Sequence, residues 1–105
     1  MSWYHGTRYA FEPGDKLEGG RFPINQGFGG PPDPHVYYSA SRRVAAEFAR
    51  EARDPSGGFD APPRVYRVRP DESHERDPVE LPEARSCRAR SAEIVREVQP
   101  RRRSR

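Results

Sequence analysis

The chain has 105 residues, with 19 basic and 16 acidic side chains and a net charge of +3. That length allows one domain with a single modest core. A mean hydropathy of −1.10 without any membrane-length apolar run excludes helical membrane spans, and a lone Cys87 excludes a disulfide framework or a thiolate zinc site.

Leu, Ile, Val and Phe supply only 16 residues, but aromatics make up 10% of the chain and the net charge is small. The balance favours a small, loop-rich domain with an aromatic core over disorder. The positive excess is terminal. Without Arg101, Arg102, Arg103 and Arg105 the chain holds 15 basic and 16 acidic residues. A nucleic-acid-binding domain carries its charge on the folded face, so this distribution argues against one. Residues 1–99 are expected to form the single domain and 100–105 a basic disordered tail.

The chain opens on Trp3-Tyr4-His5-Gly6-Thr7, aromatic and β-branched enough for a strand. Gly6 allows a ligand or another backbone to come close beside His5, because it has no side chain. Glu12-Pro13-Gly14-Asp15 then reads as a turn. Residues 18–34 hold five glycines and four prolines around Phe22, Ile24 and Phe28, which predicts a long loop suited to closing over a ligand.

His35-Val36-Tyr37-Tyr38-Ser39-Ala40 predicts a second strand, with Tyr37 and Tyr38 on opposite faces. Ser41 is placed as the N-cap of a helix over 42–53, where Val44, Ala45, Phe48, Ala49 and Ala52 make one apolar stripe. Arg64-Val65-Tyr66-Arg67-Val68 alternates as a strand with one wet side. The acidic segment 71–78 reads as irregular, with Asp71 and Glu72 as solvated loop acids. Ala92–Val98 reads as a final strand.

Four of these segments, in order, resemble the rifamycin NAD ADP-ribosyltransferases: Tyr4-His5-Gly6-Thr7, His35-Val36-Tyr37, Arg64-Val65-Tyr66-Arg67-Val68 through Pro70, and Arg85-Ser86 with Arg88, Arg90, Ile94, Val95 and Glu97. The resemblance implies an α+β fold of two packed, mostly antiparallel half-sheets with one main helix after the tyrosine strand. It implies a His-Tyr-Asp catalytic set of His5, Tyr37 and Asp77. In such enzymes the histidine holds a ribose of NAD, the glycine backbone bonds the nicotinamide amide, and the tyrosine stacks on the nicotinamide ring. NAD binding then falls to His5, Gly6, Thr7 and Tyr37. Glu75 competes with Asp77 for the carboxylate role, and Arg76 stands where the family has a first acid.

The implied activity is transfer of ADP-ribose from NAD, as co-substrate, to a hydroxyl of a small molecule such as a rifamycin, with release of nicotinamide. The implied context is antibiotic resistance in a cytoplasmic monomer. No metal is expected, since His5, His35 and His74 lack ligand spacing. Cys87 in place of a tyrosine, and a helix without the family's tryptophan, are departures on the acceptor side. The alternatives are a transferase acting on protein or nucleic acid, of toxin or RNA 2′-phosphotransferase type, and a non-enzymatic binding module.

Overall fold

Stretches rich in Val, Tyr and Ile become strands because their side chains fill a pleated, half-buried surface. The computed structural model describes residues 1–19, 34–76 and 86–98. In chain order these give β1 (Trp3–Thr7), β2 (Lys16–Glu18), β3 (Val36–Ser39), α1 (Arg42–Glu51), β4 (Arg64–Pro70), β5 (Glu75–Arg76), β6 (Ser86–Ala89) and β7 (Ser91–Val98). The class is α+β, with one helix and one antiparallel sheet in the order β2-β7-β4-β1-β3-β6-β5 among the described residues.

The sheet is bent by its connections. Arg90 alone joins β6 to β7, yet those strands stand four places apart in the order. Four strand spacings on a flat sheet amount to about 19 Å. One intervening residue spans about 7 Å. The sheet therefore curls, and its two wings meet around one core. Leu17 of β2, Tyr38 of β3, Tyr66 and Val68 of β4, Ala89 of β6 and Ile94 of β7 pack there, with Trp3, Phe11 and Cys87 against them.

The outer face carries α1. Ser41 caps it by accepting the Val44 N–H at 3.2 Å, as the sequence predicts. The helix ends at Glu51, two residues before the predicted limit, where the Ala52 N–H closes on the Phe48 carbonyl. Of the predicted stripe only Ala45 and Ala49 are fully buried, and Val44 and Phe48 are half-buried. Gly6 explains the narrow contact. A Cβ there would lie 1.8 Å from the Ala45 carbonyl oxygen and 2.7 Å from the Ala49 nitrogen. Helix backbone is thus what approaches this side of Gly6.

Three details depart from the sequence reading. The wet side of β4 is only partly wet, because Val65 on it packs with Ala45 and Val98 beneath α1, whereas Arg67 stays half-buried and Arg69 exposed, and Tyr66 and Val68 enter the inner core. Asp71 is not a solvated acid: it accepts the Ser73 N–H at 2.8 Å, the Ser73 hydroxyl and the Ser91 hydroxyl at 2.8 Å. The irregular acidic segment contributes a short strand, β5, hydrogen-bonded to β6. The loop after α1 is closed by Asp54, which accepts from the N–H groups of Ser56, Gly58 and Ala61 and from the Ser56 hydroxyl. Arg8 seals it by donating to the carbonyls of Phe59, Ala61 and Arg50.

The glycine-rich stretch at 20–33, Asp77 and the basic tail lie outside the described residues. The chain passes into and out of that first stretch at one point, since a Cβ on Gly19 would sit 1.9 Å from the Pro34 carbonyl oxygen. No described helix is long and apolar enough to cross a membrane.

Candidate functional site

β1 and β3 pair only at Tyr4↔Ser39. Continued antiparallel pairing would set Gly6 opposite Tyr37 and give the Tyr37 carbonyl a backbone donor. That oxygen instead takes the His5 ring, with Nδ1 at 2.7 Å. The two strands part here, and the β3-facing backbone edge of Gly6 lies outside their ladder. Two predicted motifs, 32 residues apart, meet at this parting.

The bond fixes the chemistry of His5. A carbonyl oxygen only accepts, so Nδ1 carries the proton and Nε2 keeps its lone pair. Burial pushes the His5 pKa down and outweighs the Tyr37 carbonyl, which raises it. The ring is therefore neutral at pH 7, with a fixed tautomer and one acceptor, suited to a hydroxyl donor. Thr7 beside it is buried, and its hydroxyl accepts the Tyr9 N–H at 3.1 Å.

Strand alternation separates the two tyrosines, as expected. Tyr38 enters the core with no exposed surface. Its phenol hydrogen-bonds His74 Nδ1 and lies 3.2 Å from the Arg88 carbonyl oxygen, and Trp3 packs edge-on to it at 5.5 Å. Burial raises the Tyr38 pKa, helped by the fields of Cys87 and Asp71, so the phenol stays protonated.

Tyr37 takes the outer face and is half-buried. Its ring is tilted 59° to that of His35, with 6.3 Å between centroids. Directly across β6 is Arg88, and directly across β5 from Arg88 is Glu75. The Arg88 guanidinium hydrogen-bonds the Tyr37 side chain and donates through Nε to Glu75 Oε2 at 3.2 Å. Burial works against its charge, but Tyr37 and Glu75 together outweigh that and raise its pKa. The Arg88 side chain keeps 20% of its exposure and that of Glu75 keeps 50%, so the row is open along one side.

The structure thus joins His5 to the main chain of Tyr37 and sets Gly6 and Thr7 along the same strand. It places Glu75 beside Tyr37 through Arg88, whereas Asp77 lies outside the described residues. The row escaped sequence reading in its partners only. Arg88 was visible within Arg-x-Arg, but nothing in local sequence pairs it with a residue 13 positions earlier. His74, seen only as a histidine without ligand spacing, turns out to stack on Tyr38 at 5.6 Å and to lie 4.7 Å from Trp3 with the rings tilted by 49°. No cluster able to hold a metal occurs among the described residues.

No protein-family model matches the chain, and no curated protein is similar enough to match it. Its resemblance to the ADP-ribosyltransferases therefore rests on the motif residues of the sequence alone.

Proposed function

We propose that this chain is an NAD-dependent mono-ADP-ribosyltransferase of the rifamycin type, with an ADP-ribosyltransferase fold, acting on a hydroxyl of a small molecule. The observation that supports it most is the parting of β1 and β3 at His5, Gly6 and Tyr37. The strand edge there offers Gly6 backbone groups of the kind a carboxamide pairs with. A neutral His5 with Nε2 as acceptor fits a ribose hydroxyl. Tyr37 on the outer face offers a π surface to a flat cation.

The bond to be broken joins ribose C1′ to a nicotinamide that already carries positive charge. The protein needs to hold both ends and stabilise an oxocarbenium-like ribose, by position and electrostatics. His5 orients the ribose, Tyr37 holds the leaving ring, and Asp77 is the carboxylate for the developing cation. The acceptor hydroxyl oxygen attacks C1′ as the C1′–nicotinamide bond breaks, and its proton passes to solvent. Curling the sheet around one core supplies the rigid frame that such positioning demands.

The test is nicotinamide release from NAD, followed by chromatography with and without rifamycin. Release stimulated by rifamycin, with a product heavier by one ADP-ribose, is expected. Release with no transfer to rifamycin would move the acceptor to another class. No release at millimolar NAD from folded protein would overturn the transferase reading.

A further inference from the structure

Arg88 stands between a phenol and a carboxylate, on a β-ladder that fixes all three residues side by side. We propose that Tyr37, Arg88 and Glu75 form a charge-balanced recognition site for a flat organic cation, in which Arg88 is the residue that positions the Tyr37 ring and the Glu75 carboxylate. The transferase reading enters only in identifying that cation as the nicotinamide ring of NAD.

An unbalanced guanidinium beside Tyr37 would repel a cation approaching the same ring. Glu75 removes that repulsion by pairing with Nε at 3.2 Å. The pair is partly solvated, so the effect of its loss on cation affinity is about threefold to tenfold. A planar guanidinium suits the task because its N–H groups reach two partners at fixed angles, which an ammonium on a flexible stem does not. The carboxylate end is held as well. β5 is only two residues long, but the turn before it is tied down: Asp71 accepts from Ser73 and Ser91, and the Arg90 N–H donates to the Ser73 hydroxyl at 2.7 Å. The Arg88 main chain also takes the Tyr38 phenol from the inner face. Arg88 is thus fixed from both sides of the sheet, and Glu75, which the sequence offers only as a rival to Asp77, sets the charge at Tyr37.

The probes are 1-methylnicotinamide, a cation, and nicotinamide, its neutral analogue of nearly the same shape. Binding is followed on the ring signal of Tyr37 in protein labelled with 13C-tyrosine, with that signal identified by its loss in Tyr37→Phe. The wild-type protein is expected to bind the cation at least about threefold more tightly than nicotinamide. Glu75→Gln abolishes the preference, leaving nicotinamide binding unchanged. Arg88→Ala moves the Tyr37 signal in the free protein and weakens cation binding, and Arg88→Lys restores only part of it. Should Arg88→Ala fail to fold, Glu75→Gln and Arg88→Lys carry the same test.

A preference that survives Glu75→Gln overturns the proposal, as does a Tyr37 signal unmoved in folded Arg88→Ala or, if that variant does not fold, in Arg88→Lys. The two readings separate cleanly. Charge preference without nicotinamide release refutes the transferase and upholds this site. Nicotinamide release without charge preference does the reverse.

Discussion

The outer face of the sheet is built in two ways. Over β1, β4 and β3 it is sealed by α1, with Gly6, Ala45 and Ala49 small enough to bring backbone against backbone. Further along, Tyr37, Arg88 and Glu75 keep long polar side chains linked to one another and partly open to solvent. The sealed part carries stability and leaves no group to react. The open part contributes little to stability and presents charge and π surface. One sheet face thus divides between a packed part that holds the fold and a part whose polar side chains stay open to solvent.

The sharpest way to break that contrast is to disturb the sealed part. Gly6→Ala forces a methyl into helix backbone that has no flexible end to give way, as the 1.8 Å approach to the Ala45 carbonyl shows. The expected cost is about 3 kcal/mol, read in urea unfolding. A loss under about 0.5 kcal/mol would mean that α1 slides freely on β1, and the sealed face would lose its meaning.

Next in size is the acid response of His5, which is buried in β1. Its folded pKa lies below the ordinary value of 6.5 because the ring is buried. Below pH 6.5 the unfolded chain takes a proton at this position that the folded chain refuses. Stability therefore falls as pH drops from that value toward the lowered one. The slope approaches about 1.4 kcal/mol per pH unit in that window. His5→Gln keeps a donor for the Tyr37 carbonyl and should flatten the difference. An identical slope in wild type and variant would show that His5 protonates freely when folded. Asp54 and Asp71 do not confuse the measurement. Their pKa values are lowered, through hydrogen bonds from Ser56 and Ser73 first, so their contribution is lost only below the ordinary carboxylate range.

The smallest effect belongs to the open part. Glu75→Gln removes a half-exposed partner and should move Tm by less than about 2 °C, measured by differential scanning calorimetry. Together with its loss of cation preference, that would separate ligand recognition from stability at one residue. A drop of 10 °C would instead make Glu75 a structural strut.

Much of the frame was legible. Ser41 announced the start of α1, and the alternation of Val65, Tyr66 and Val68 announced β4. β2 and β5 were not legible, because three and two residues give too little alternation to register as strands. Asp71 looked solvated because its acceptor bonds run to Ser91, 20 positions on. The covering of Val65 was hidden for a related reason: Arg67 and Arg69 mark a polar side, and only the position of α1 shows that Val65 on that side is buried.

The sequence by itself determined the strands of strong alternation, the cap and start of the helix, the confinement of basic excess to the tail, and the motif residues His5, Gly6 and Tyr37. These are local properties, governed by propensity, period and charge within a few residues. Only the tertiary structure decided which strands adjoin, that the sheet curls so that β6 runs into β7 through Arg90, and that His5 reaches the Tyr37 carbonyl. It also decided that Tyr37, Arg88 and Glu75 stand in one row. Register across a sheet couples residues tens of positions apart, and the energy that selects it comes from burial of the whole inner face rather than from any segment alone.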